Sequence, residues 1–370
     1  MDMKTSRLTN RWPLLGSIRG SSTMVSATYT PNPPAPKDSN MFHRTFGKDG
    51  RSVSEVGIGC WQIGGTEWGD VTDDQALRTL HAAADAGITF IDTADIYGGG
   101  RSERLIGTFL RERSDRDRFF IATKLGRRSD PGWPENFSPT TVRQHTEDSL
   151  QRLGVEALDL TQTHCLPLGE LRGHAVFETL ANLQQAGKIR GFGASVETVD
   201  EARQCLEVPG LRSLQIIFNI FRQQPIQELF PLAVERGVAL IIRLPLASGM
   251  LAGKFSKEST FAATDHRHFN RDGESFNVGE TFSGVPWELG LEVVEQFRPL
   301  VPNGATMAQW ALRWCLDHPA VTVVIPGAKH PEQARQNAAS SDLAAIPVET
   351  HQHIQAIFEQ RIRPMIKGKI

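Results

Sequence analysis

The stretch FIDTADIYGGG, Phe90 to Gly100, places an acid, Asp92, in an apolar run and a phenol, Tyr97, just beyond it, in front of three glycines. The chain has only two tyrosines, and the other is Tyr29. Lys124 ends a second apolar run, RFFIATK, and His164 ends a third, ALDLTQTH. Taken singly, each has an ordinary explanation: a core histidine, a surface lysine, an aspartate capping a turn. Gathered at one place, they suit proton donation by tyrosine. A phenol, with an unperturbed pKa of about 10, is a weak proton donor near neutrality. A neighbouring ammonium stabilises the phenolate and lowers that pKa, and a carboxylate keeps the ammonium charged and aimed. Asp92, Lys124 and Tyr97 would form this relay, with His164 hydrogen-bonding the oxygen that takes the proton. An oxygen protonated while its carbon receives something else is a carbonyl under hydride reduction.

Bringing these residues together is the task of the elements that carry them. Short apolar runs recur along the chain: ITFIDT (88–93), RFFIATK (118–124), ALDLTQTH (157–164), IRGFGAS (189–195), LQIIFN (214–219), VALIIRL (238–244) and VTVVIPG (321–327). With a first strand near Val56 to Cys60 they make eight predicted strands. Helical patterns lie between them. Thr72 and Gln75 form a capping box for a helix that Gly87 stops. Ser138 caps another with Pro139 at its first position, and Gly154 ends it. Near-continuous apolar strands alternating with helices imply a parallel sheet covered by helices. The fold class expected is α/β, a (β/α)8 TIM barrel. A doubly wound open sheet would carry GxGxxG after its first strand, where this chain has GIGCWQIGG. In a barrel the strand ends at Asp92, Lys124, His164, Ser195, Asn219 and Arg243 share one mouth. A polar segment without helical period, roughly Ser256 to Gly284, follows the seventh strand and should hang over that C-terminal mouth as a long loop. Within it, His266 and His268 read as solvated loop residues and not as a metal site.

Composition narrows the function classes. Hydrophobic residues make up 39% and charged residues 22% of the 370, an ordinary globular balance, with a net charge of −2. That charge gives no footprint for nucleic acid or an anionic membrane surface, and no apolar run is long enough to span a bilayer. Cys60, Cys165, Cys205 and Cys315 show no metal-ligand spacing and read as buried thiols in a reducing compartment. A cytoplasmic protein without metal is expected. Residues 1–40 are rich in Ser, Thr, Asn and Pro and read as a disordered leader, a basic stretch that would also suit a transit peptide. Residues 41–370 read as a single barrel domain with a C-terminal helix.

The ordered motifs resemble those of the aldo-keto reductase family, NADPH-dependent barrel oxidoreductases, from Phe42 to about Asn337. GITFIDTADIYGGGRSERLIG is similar to the family's Asp-to-Tyr signature, IATKLG to its lysine strand and LDLTQTHCLP to its histidine strand. GKIRGFGAS and IPGAKHPEQARQN resemble the strand that follows and the C-terminal cofactor segment. The resemblance implies that Tyr97 is the general acid, tuned by Lys124 and Asp92, with His164 orienting the carbonyl. The glycines after Tyr97 would let the backbone lie close to ligand. Ser195 and Gln215 would hold the nicotinamide carboxamide, although Val196 stands where the family often has Asn. Arg243 stands where an aromatic ring often stacks on the nicotinamide; it would stack there itself or meet the phosphates, or be a rim arginine in an ion pair. Gly249, Leu251 and Lys254 would lie along the pyrophosphate, Gly327, Lys329, Gln333 and Asn337 at the adenosine end, and Leu246 would also contact the cofactor. Lys329 as partner of a 2′-phosphate favours NADPH over NADH. Trp61 and Trp133 would wall the substrate pocket or serve as packing.

The function implied is NADPH-dependent reduction of an aldehyde, ketone or open-chain sugar carbonyl to an alcohol, by a monomer or small homo-oligomer acting on a small molecule. An NADPH-binding regulatory or redox-sensing subunit with negligible turnover is the alternative. A lyase or isomerase barrel would carry a metal or phosphate site and bind no nicotinamide; the absence of a clustered carboxylate or His metal set counts against it.

Overall fold

A computed structural model describes residues 41–368, apart from 49, 66 and 172–174; the leader expected over 1–40 lies outside the described residues. Two short strands come first, β1 (His43–Thr45) and β2 (Ser52–Ser54), paired antiparallel with Arg44 opposite Val53. Eight parallel strands follow: β3 (Ile58–Gly59), β4 (Phe90–Asp92), β5 (Phe120–Leu125), β6 (Leu160–His164), β7 (Phe192–Ser195), β8 (Ser213–Ile217), β9 (Ala239–Arg243) and β10 (Val321–Val324). Each pairs with the next in sequence order. Parallel bridges Val56–Val324 and Gly59–Gly327 join the last strand to the first. The Gly57 and Gly59 amides donate across this seam to the Val324 and Pro326 carbonyls at 2.8 and 3.0 Å. The sheet is thereby closed into the expected (β/α)8 barrel.

Local chemistry explains the covering helices. Thr72 accepts from the Gln75 amide at 3.2 Å and opens the helix Asp73–Asp85. The return half of the capping box is absent, because the Gln75 side chain donates instead to the Lys329 carbonyl at 2.9 Å. Ser138 caps Pro139–Leu153, which Gly154 ends at φ 68°. A C-terminal helix, Val348–Ile357, is present.

Side chains alternate along a strand, so one face of each barrel strand points inward. Phe90, Phe120, Ala122, Leu160, Ala239, Ile241 and Val323 form an inner cluster with Phe46 and Val53 of the hairpin region. Phe46 packs on Phe120 with ring centroids 4.6 Å apart and so plugs the barrel's N-terminal end. Two residues further along the same inward faces stand Asp92 after Phe90, Lys124 after Ala122, and Arg243 after Ile241. The apolar filling thus gives way to a polar layer at the C-terminal end.

The segment after β9 is more ordered than its missing helical period suggests. It contains the short helices His266–Phe269, Val278–Glu280 and Phe282–Gly284. Asn270 Oδ1 accepts from the Ser275 and Phe276 amides at 2.8 and 2.9 Å. Phe255, Phe261, Phe282 and Trp287 pack edge and face on one another, with the Arg267 guanidinium 4.5 Å from the Phe261 centroid. Among the described residues no helix is long and apolar enough to cross a membrane.

Candidate active site

The polar layer at the strand ends faces a cavity of about 760 Å³. Behind Asp92 and Tyr97, which line it, Lys124, 1% exposed and itself off the lining, donates to Asp92 Oδ1 at 2.6 Å and to the Thr93 carbonyl at 2.8 Å. Gln215 Nε2 donates to the other Asp92 oxygen at 2.7 Å. With donors on both oxygens, the arrangement is that of a carboxylate beside an ammonium. Burial pushes Asp92 up and would push Lys124 down, but the Asp92 charge, followed by Tyr97, outweighs burial at Lys124 and keeps it protonated. Lys124 Nζ lies 3.5 Å from the Tyr97 hydroxyl, and the Tyr97 and His164 rings meet edge to face at 6.0 Å.

Asp92, Lys124 and Tyr97 are therefore brought together as expected, but their electrostatics depart from one expectation. Burial pushes the Tyr97 phenol up to about 12, outweighing the Lys124 ammonium that lowers it. Burial, then the charges of Arg127, Lys124 and Arg243, holds the His164 imidazole well below its usual value and hence neutral. A neutral imidazole has one N–H to offer a carbonyl oxygen.

Tyr97 is seated by its loop. Gly98, Gly99 and Gly100 have φ of 58°, 60° and 85°, the left-handed region that glycine enters freely. None of the three lines the cavity. Their use is in the turn itself and in close packing, since a Cβ on Gly98 would overlap the Gly64 carbonyl oxygen. The expectation that they approach ligand is corrected accordingly.

Asp92, Tyr97, His164 and Trp61 line the cavity, as do Ser195, Gln215 and Arg243. So do Leu246, Gly249, Lys254, Gly327, Lys329 and Gln333. His164, Ser195 and Gln215 are register neighbours on three successive strands. Leu251 is buried off the cavity, and Asn337 donates to the Gly327 carbonyl at 3.2 Å, behind the lining. Trp133 does not line it either; that ring is 51% exposed and rests on Phe137. Arg243 is in an ion pair, with Nη1 3.3 Å from Glu280 Oε1, while still lining the cavity.

These findings accord with one family above others. The model described as the Aldo/keto reductase family matches residues 55–359.

The chain belongs to the aldo/keto reductase family.

It is 31% identical over 301 residues to the aldo-keto reductase YhdN of Bacillus subtilis, covering 79% of this chain and 86% of that one. It is 28% identical over 309 residues to the NADH-specific methylglyoxal reductase of Escherichia coli, covering 79% and 91%. Among solved structures, the glycerol dehydrogenase AKR11B4 from Gluconobacter oxydans superposes with a TM-score of 0.71 at 28% identity, covering 90% and 99%. Proteins of this family are oxidoreductases, and this aldo/keto reductase is an enzyme of that class.

Some residues of the site carry no sequence signal of their own. His266, expected in solvent, is fully buried, 4.3 Å from the Trp68 ring and 5.2 Å from Trp61, with its amide donating to the Glu67 carbonyl at 3.0 Å. Its bearer segment also sends Arg267, Ser275, Phe276 and Glu280 to the cavity, and Arg127 arrives from beyond β5. Cys165, Glu197 and Glu280 come within 4.8 Å of one another, but Arg127 and Arg243 take up the two carboxylates. An ion pair between loops far apart in sequence leaves no periodicity to detect.

Proposed function

We propose that this reductase transfers hydride between NADPH and the carbonyl of a small aldehyde, ketone or open-chain sugar, with Tyr97 as proton donor. The observation that carries the reading is the buried Asp92–Lys124–Tyr97 array, with neutral His164 beside it, in one cavity with Ser195, Gln215, Lys254 and Lys329.

The cavity suits a nicotinamide dinucleotide. Gly249, at φ 94°, and Gly327, where a Cβ would meet the Gln62 side chain at 2.5 Å, keep its wall thin where backbone must lie against ligand. Ser195 and Gln215 would hold the carboxamide, Lys254 the pyrophosphate, and Lys329 with Gln333 the adenosine end. A 2′-phosphate beside Lys329 is the basis for NADPH over NADH. When bound, the reduced nicotinamide supplies the hydride. His164 presents its N–H to the substrate oxygen, and Tyr97 gives that oxygen its proton. Lys124 then stabilises the phenolate, itself kept charged by Asp92. Trp61, 6.0 Å from the Tyr97 ring and nearly parallel to it, excludes water from the proton's path.

The test is single-turnover transfer from nicotinamide-deuterated NADPH to 4-nitrobenzaldehyde, in the parent and in Tyr97→Phe. Deuterium in the alcohol from the parent, with transfer reduced about 10²–10⁴-fold in the variant while NADPH still binds, is expected. Binding without transfer in the parent would favour the regulatory-subunit alternative.

A further inference from the structure

Beside the proton relay the cavity wall carries a second charged group, which proton transfer does not use. Glu280, 4% exposed, descends from the segment after β9. Its Oε1 lies 3.3 Å from Arg243 Nη1 and 3.5 Å from Arg127 Nη1 and Nη2. Arg127 Nη2 also donates to Glu197 Oε1 at 3.0 Å, and Asn277 Nδ2 donates to the other Glu197 oxygen at 2.9 Å. Arg243 Nη2 donates to the Val196 carbonyl at 3.1 Å. Arg127, Arg243 and Glu280 all line the cavity alongside Tyr97 and His164.

Two guanidinium groups converging on one point, one from the loop after β5 and one from the end of β9, are how proteins recognise a carboxylate. Here that point is already filled from within. We propose that Glu280 is a specificity-determining residue: it occupies the Arg127–Arg243 pair as an internal carboxylate and so turns away substrates that carry a carboxylate near the carbonyl, leaving uncharged aldehydes and ketones as the accepted class. The proposal rests on the carbonyl-reductase reading and narrows its substrate. A carboxylate-bearing substrate must displace Glu280 into a buried, unpaired state or lie unpaired beside it, and both exact the cost of an uncompensated buried charge. The cluster of two arginines and two glutamates is charge-balanced. Glu280→Gln leaves one positive charge in excess, and Arg127→Gln leaves one negative charge in excess.

The experiment measures kcat/KM with NADPH for 4-carboxybenzaldehyde and 4-nitrobenzaldehyde, which are alike in size and differ in charge. The parent should favour the nitro compound. Glu280→Gln should raise the carboxy-to-nitro ratio by about tenfold or more, and Arg127→Gln should lower it. Calorimetric binding of benzoate in the presence of NADP+ gives a readout free of turnover, and it should tighten in Glu280→Gln alone. Thermal melts establish that each variant folds, and Arg127→Gln carries the test by itself if Glu280→Gln does not. A ratio and a benzoate affinity that stay put in the folded variants overturn the proposal, as does a parent that reduces both aldehydes equally. If the parent reduces neither aldehyde while benzoate binding still tightens in Glu280→Gln, the reductase reading fails and the occupancy of the arginine pair by Glu280 stands.

Discussion

At the scale of single residues, the Tyr97 phenol at about 12 has a direct kinetic consequence. If Tyr97 is the proton donor as proposed, reduction uses the protonated phenol, which persists throughout the ordinary pH range, so its rate constant should be flat from about pH 6 to 10 as far as Tyr97 decides it. On the same proposal alcohol oxidation uses the phenolate, whose fraction grows about tenfold per pH unit below the pKa. The logarithm of the oxidation rate should therefore climb with near-unit slope over the same range. Stopped-flow profiles in both directions check this, and an oxidation plateau near pH 7 would contradict it. The grouping of these residues was legible in the sequence because Asp92, Lys124 and His164 end apolar runs, and parallel strands in a barrel all end at one mouth. The sign of the Tyr97 shift was not legible, since it depends on burial under Trp61 and its neighbours, which no local pattern encodes. Glu280 and Arg127 were silent for the same reason: their meaning lies in a contact between distant loops.

At the scale of elements, the hairpin that plugs the barrel floor depends on Arg44. Its guanidinium pairs with buried Glu55 at 2.7 Å and donates to the carbonyls of Leu316, His318 and Val321 at 2.5, 3.2 and 2.6 Å. Arg44→Ala leaves Glu55, among the described residues, with Arg313 at 3.5 Å and Ser341 at 2.9 Å. It should cost about 3 kcal/mol of stability, measured by urea unfolding. A loss under about 0.5 kcal/mol would mean that the hairpin is not anchored this way. The eight barrel strands could be read from their apolar runs, though the ladder keeps only part of each run, and β5 and β8 reach one residue beyond it. The hairpin could not, because strands such as HRT and SVS are too short for alternation to show. The turns of the segment after β9 escaped likewise, each being shorter than one helical repeat needs.

At the scale of the whole molecule, the cavity straddles the seam where the barrel closes. Gly59 and Gln62 line it from one side of that seam, and Gly327, Lys329 and Gln333 from the other. Gln75 and Thr79 of the helix Asp73–Asp85 hold the Lys329 carbonyl at 2.9 and 3.3 Å. A dinucleotide bound there should brace the closure. At a hundredfold excess over Kd, NADPH should add about 2.7 kcal/mol of stability, and NADH less at equal concentration. Amide exchange at Gly57, Gly59 and Val324 should slow with it, and unchanged exchange would place the nucleotide elsewhere. The same seam bears on how the protein is made. A ribosome delivers Asp92, Tyr97, Lys124 and His164 in the first half of the chain, but Gly327 and Lys329 emerge only near its end, and until then the first strand has no partner on its open side. On the proposed function, chemistry and cofactor grip are complete together only at the last strand, so an unfinished or prematurely terminated copy should have no means of drawing on the cell's reducing equivalents.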